Sequence, residues 1–202
     1  MTGEKNDCKA IKASMNFIAE HLKKVASKLD TDSVSDLVDN IMGAKKIFLM
    51  GAGRSGLAAK AFAMRLMHMG FQVHVVGETT APAVQPEDLV IAVSGSGETT
   101  SVANLGAISK KIGSKLATIT SNKDSSLGII SDIVVIIPGR PKEDLDYEDY
   151  QERRMIGYPQ LAPLGTVFEI SALVFLDAVI SELMVRTGAS EVELKKRHTV
   201  FE

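Results

Sequence analysis

The sequence predicts an α/β domain whose core is a parallel sheet of five strands with helices on both faces. Compact apolar runs at 47–50, 73–76, 89–93, 116–119 and 133–137 alternate with helical stretches, an order that fits parallel strands joined by right-handed crossovers. Two of these runs lead directly into glycine-rich turns, Gly51-Ala52-Gly53-Arg54-Ser55-Gly56 and Ser94-Gly95-Ser96-Gly97-Glu98-Thr99-Thr100, at the carboxyl ends of strands, where such sheets bind ligands. The 202 residues, 45% of them hydrophobic, suffice for one core of ordinary size, so a single domain is expected.

Before the sheet, Ile11, Met15, Ile18, Leu22, Val25 and Leu29 recur at spacings of three and four and mark one long amphipathic helix over 8–29. Ser33 with Asp36 resembles the start of a second helix that continues through Val34, Leu37, Val38 and Ile41 to Gly43. These two helices make an N-terminal arm, 1–43, ahead of the sheet core, 44–137. Between 138 and 165 the pattern lapses into Pro138-Gly139-Arg140-Pro141, an acidic stretch from Glu143 to Asp149, and Gly157-Tyr158-Pro159, which predicts a lid-like loop. The last part, 166–202, is helical: a strongly apolar helix runs from Thr166 to about Arg186 and stops at Gly188. Ser190 with Glu193 is then a capping-box pattern that opens a short final helix.

Composition excludes several classes. With 23 basic against 25 acidic residues the net charge is −2, which offers no electrostatic footprint for nucleic acid or an anionic membrane. Cys8 is the only cysteine and no Cys/His pairs stand at metal-ligand spacing, so neither a disulfide framework nor a structural metal site is expected. The start, Met1 to Asp7, is polar and no apolar run approaches the ~18 residues of a membrane span, so a soluble cytoplasmic protein is expected.

The two turns point to one ligand chemistry. Each follows a predicted strand and opens a predicted helix, so backbone N–H groups, hydroxyls and a helix N-terminus converge where an anion can sit. The first, Gly51-x-Gly53-x-x-Gly56, matches the dinucleotide fingerprint, and Glu78 beyond the second strand then competes as a ribose ligand, although it stands further from Gly51 than the usual ~20 residues. The second turn favours a monophosphate, because Ser94, Ser96 and Thr99 at i, i+2 and i+5 can direct three hydroxyls, with the backbone at Gly95, at one tetrahedral anion. A plain Ser/Thr-rich helix cap is the structural alternative. Arg54 and Ser55 with Gly53 complete the candidate binding set; for Arg54 a surface charge and for Ser55 an N-cap stand as alternatives. Glu98 would repel an anion and is expected to face away. His21, His68 and His74 lie on predicted helices or a strand and read as structural or exposed, and Met64, Met67 and Met69 as core and interface filler. The apolar arm over 11–29 and the helix 167–185 offer more hydrophobic surface than one sheet needs, which predicts subunit contacts.

The pattern Ser94-x-Ser96-Gly97-x-Thr99 after Gly51-x-Gly53-x-Ser55 resembles the sugar isomerase (SIS) domain family, phosphosugar-binding proteins with a five-stranded parallel sheet. Gly53-Arg54-Ser55 with 59–66, Pro163-Leu164-Gly165-Thr166-Val167-Phe168-Glu169 and the tail Lys196-Arg197-His198 narrow the likeness to its 6-phospho-3-hexuloisomerases. The resemblance implies a three-layer αβα fold of flavodoxin-like strand order. It also implies interconversion of D-arabino-hex-3-ulose 6-phosphate and fructose 6-phosphate through a cis-enediolate, with no cofactor and no metal. Glu169 is then the base, with a helix-dipole role as its alternative, and His198 manages the hydroxyl protons from a neighbouring subunit, with a solvated basic tail as its alternative. A homotetramer, a sugar phosphate as ligand and 3-hexulose-6-phosphate synthase as metabolic partner follow from the same likeness. An isomerase acting on another sugar phosphate and a non-catalytic phosphosugar sensor are the remaining readings, the sensor disfavoured by the lack of a basic DNA-binding segment.

Overall fold

The computed structural model describes residues 8–139, 162–163 and 165–198. All but the ends of the lid-like loop expected over 138–165, with Glu152, Arg153 and Arg154, therefore lies outside the described residues. The polar start 1–7 lies outside them as well.

The helical arm forms as its periodicity predicts. Helix α1 (Lys9–Ser27) is followed by α2 (Thr31–Gly43). The second helix begins three residues earlier than the Ser33/Asp36 pattern suggests, because the Asp30 carboxylate accepts from Asp32 N at 3.3 Å and so occupies the cap position. Ser33 Oγ instead donates back to the Asp30 carbonyl at 3.0 Å.

The sheet consists of β1 (Ile47–Gly51), β2 (Val73–Val75), β3 (Leu89–Val93), β4 (Lys115–Thr120) and β5 (Ile133–Ile136), all parallel, in the order β2-β1-β3-β4-β5. This is the expected flavodoxin-like arrangement. Helices α3 (Gly53–Met69), α4 (Thr100–Ile112) and α5 (Ser126–Ile130) make three of the four crossovers; the connection from β2 to β3 over 76–88 is irregular and not the helical stretch that the alternation predicts, and α6 (Thr166–Thr187) and α7 (Glu191–Lys196) close the chain. Side chains alternate along β1 with the two-residue period of a strand buried on both faces. Ile47 and Leu49 enter the larger core with α2, α3 and α6, while Phe48 and Met50 enter the smaller one with Val102 of α4 and Leu127 of α5.

Phe62 joins α3 to the larger core and is 1% exposed. Phe62→Ala is expected to destabilise the fold by about 3–5 kcal/mol, read as a lower urea midpoint at unchanged m. A loss below about 1 kcal/mol would show that the core closes around the cavity.

Outside the core the expected surplus of apolar surface is present: Ile11 and Met15 on α1, Leu57, Met64 and Met67 on α3, and Leu173, Val174 and Val185 on α6 are exposed. Met69 is partly buried against the core. No helix among the described residues is long and apolar enough to cross a membrane.

Candidate active site

Strands β1 and β3 are neighbours in register, with Gly51 opposite Val93, so the two glycine-rich turns leave the sheet side by side. The first turn is tight because Gly51 and Gly56 pack backbone on backbone. A Cβ on Gly51 would stand 2.9 Å from both Gly56 N and Val93 O, and one on Gly56 would stand 2.7 Å from the Gly51 carbonyl oxygen. In the second turn Gly97 takes a left-handed conformation at φ +66°. A Cβ there would collide with the buried Ser125.

Three helix N-termini meet at this edge, and none carries a side-chain cap. They are α3 after Ala52, α4 after Thr99 and α6 after Gly165. Of the other helices, α2, α5 and α7 are capped by Asp30, Ser125 and Ser190, and α1 begins after Cys8 without a side-chain cap bond. The first-turn N–H groups of α3, α4 and α6 therefore have no side-chain acceptor at the cap, and their partial positive charge favours an anion. Ser55 sits within the first turn of α3, so it is not the N-cap that the sequence left open as an alternative.

The candidate binding residues come together, with differences among the hydroxyls. Ser94 is buried, and its Oγ lies 3.5 Å from Thr99 Oγ1. Thr99 is the cap residue of α4, yet its side chain makes no cap bond, so that hydroxyl stays with Ser94 on the loop's inner side. The exposed Ser96 turns its Oγ onto Glu98 N at 3.1 Å, a local turn bond that shapes the loop. Glu98 faces away as expected: its carboxylate accepts from Ser126 N at 2.8 Å and Ser126 Oγ at 2.6 Å, tying the loop to α5.

Glu169 lies in the first turn of α6, where the backbone turns through Gly165 at φ +78°. Its carboxylate folds back over that glycine, 2.8 Å from where a Cβ would stand, and pairs with Arg54 Nε of the first turn. The Arg54 side chain is 58% exposed and that of Glu169 17%, so Arg54 is neither a detached surface charge nor a buried strut. It joins the candidate base to the two glycine-rich loops and leaves guanidinium donors that can turn to a ligand.

Several residues that shape the site were not among the candidates read from the sequence, although Phe168 lies in the stretch 163–169 that carries the family likeness. Phe168, beside Glu169, lays its ring against Gly95, 2.9 Å from where a Cβ would stand, so α6 docks directly on the second loop. Ser121 donates from Oγ to the Gly95 carbonyl at 2.6 Å, and Thr120 Oγ1 adds a bond to it at 3.2 Å. His21 of α1 is within hydrogen-bond distance of the Pro138 carbonyl, 3.0 Å from Nε2, and Gly139 next to it packs on Phe168 and Ser121. For Thr120 and Ser121 the clue was that they end and follow a strand next to β3 and so reach the same edge.

His198 is not at this edge. Its ring packs on that of His68, near the opposite end of α3, with centroids 4.9 Å apart. At ~1.5 Å per residue, that end of α3 lies roughly 20 Å along the helix from Arg54.

The SIS domain model matches residues 40–147. Over most of its length the chain is similar to an uncharacterised protein of Archaeoglobus fulgidus, at 46% identity covering 93% of this chain and 98% of the relative. It is 39% identical to the 3-hexulose-6-phosphate isomerase of Bacillus subtilis, over 92% of this chain and 97% of that enzyme. A crystal structure from Methanococcus jannaschii, for which a molecular function of 3-hexulose-6-phosphate isomerase was inferred, superposes with a TM-score of 0.76 at 35% identity, covering 96% and 99% of the two chains.

Proposed function

The chain belongs to the SIS domain family, and we propose that it is a cofactor-independent isomerase interconverting D-arabino-hex-3-ulose 6-phosphate and fructose 6-phosphate. The carrying observation is the Glu169 carboxylate held by Arg54 beside two loops whose helix N-termini have no side-chain caps. The ester phosphate sits on the second loop, with the backbone of Gly95 and the hydroxyls of Ser94, Ser96 and Thr99, while Gly53 and Ser55 flank the sugar. Binding energy from that remote group holds carbons 2 and 3 against Glu169.

Glu169 takes the proton from carbon 2 of the 3-ulose, and the electron pair moves through a cis-enediolate onto oxygen 3. The proton returns to carbon 3, and carbon 2 becomes the new carbonyl. Arg54 turns a guanidinium donor to the enediolate oxygens as charge develops. His198 moves the hydroxyl proton from oxygen 2 to oxygen 3, as imidazole can near neutral pH. Its distance from Glu169 along α3 supports a role in the site of a neighbouring subunit, and the exposed apolar residues of α1, α3 and α6 supply the contact surface for a homo-oligomer, a tetramer by family likeness. A 3-hexulose-6-phosphate synthase in the same cytoplasm supplies the substrate, in a ribulose monophosphate sequence that fixes formaldehyde or, reversed, provides pentose.

Incubation with fructose 6-phosphate in deuterated water tests this reading. Solvent deuterium is expected at the exchanging carbon, with the 3-ulose appearing by NMR. A sensor would bind the sugar and leave its carbon-bound hydrogen untouched. Exchange at carbon 1 with an aldose product would assign the chain to aldose–ketose chemistry.

A further inference from the structure

Helix α3 meets a candidate catalytic group at each end. Arg54 stands in its first turn beside Glu169, and His68, in its last turn, meets the tail that bears His198. We propose that His68 is a positioning residue whose buried ring fixes the imidazole of His198 in its working orientation. This rests on the reading of His198 as the carrier of the hydroxyl proton.

The two rings are of opposite character. His68 is 4% exposed and immobilised inside the fold, whereas His198 is exposed on the last turn of the described chain. Their planes are tilted by 32°, a contact that restricts rotation of the outer ring without burying its nitrogens in the core. The backbone on either side is anchored too. The capping box of Ser190 and Glu193 opens α7, and Arg197 donates from Nη1 to the His68 carbonyl at 3.2 Å. The Arg197 guanidinium also covers Gly70, 3.2 Å from where a Cβ would stand, and His198 N closes the turn onto the Lys195 carbonyl at 3.2 Å. With the chain held there, the remaining freedom of His198 is its side-chain torsions, and the His68 ring is the wall that limits them. A proton carrier needs that orientation held, since small misplacements are costly in rate.

The test is a double-mutant cycle in the intact oligomer, using His68→Ala, His198→Ala and the pair, with His68→Leu as a volume-filling substitute should alanine impair folding. His68→Ala or His68→Leu is expected to lower kcat roughly 10- to 100-fold with KM little changed. His68→Phe, which keeps a ring, recovers most of the loss. In the His198→Ala background the His68 substitution costs nothing further, because it acts through the missing imidazole. The ring-current shift of the His198 proton resonances is retained in His68→Phe and lost in His68→Leu. If His198→Ala is impaired but the two losses multiply, or if His68→Leu turns over normally, the positioning role is wrong and that of His198 stands. If His198→Ala turns over normally, the proton carrier itself has been misassigned and both fall.

Discussion

Glu169→Gln is expected to lower kcat for the isomerisation by about 100- to 10,000-fold while leaving fructose 6-phosphate affinity within a few-fold of wild type. The amide keeps the shape of the side chain and its place over Gly165, but it has no lone pair basic enough to accept a proton from carbon. The protein should remain folded. The ion pair that the substitution breaks involves an arginine side chain that is 58% exposed, and such pairs contribute at most about 1 kcal/mol. Calorimetric titration with fructose 6-phosphate, set beside initial rates, separates the outcomes. Turnover near wild type would remove Glu169 as the base, and loss of binding in proportion to rate would make it a ligand for the sugar instead.

Gly97→Ala is expected to disable the second glycine-rich loop, the proposed seat of the phosphate. A side chain at φ +66° carries backbone strain, and its Cβ would land 1.9 Å from Ser125 Oγ and 2.5 Å from Ser125 Cβ. Ser125 cannot withdraw cheaply. It is fully buried, donates to the Asn122 carbonyl at 2.7 Å and accepts from Gly128 N at 3.2 Å as the cap of α5. The loop must therefore move away from α5, taking Ser96 and Thr99 with it. We expect about 1–3 kcal/mol of destabilisation from the strained position, further loss from the collision, and weaker fructose 6-phosphate binding. Gly53→Ala serves as the control for stability, because Gly53 also has a positive φ, +55°, but nothing within 4 Å of its Cβ direction. If the two variants melt alike, the collision with Ser125 contributes nothing and the strain alone accounts for the loss.

Much of the frame was legible because it is encoded locally. The runs 47–50 and 89–93 are apolar enough to be strands buried on both faces, and β1 and β3 form there, with β1 extended by one residue to Gly51. Ser190 with Glu193 forms the capping box that its spacing predicts. The start of α2 shows the limit of such patterns. Ser33 and Asp36 have the right chemistry, but Asp30 reaches the orphan N–H groups first, and adjacent candidates for one cap are not separable by residue type. Similarly, Ser94, Ser96 and Thr99 look equivalent in sequence, whereas the fold pairs Ser94 with Thr99 and turns Ser96 onto Glu98.

By itself the sequence determined most of the alternation of strands and helices and the two glycine turns at strand ends, while its motif residues carried the family resemblance. The alternation and the turns follow from hydrophobic period and backbone freedom, which depend on residues a few positions apart. Only the tertiary structure decided that Arg54 pairs with Glu169 across 115 positions, that Phe168 seats α6 on Gly95, and that His198 rests against His68 at the far end of α3. Contacts of that kind depend on how α3, α6 and the tail pack against the finished sheet, and no local pattern in the chain specifies which side chains then meet.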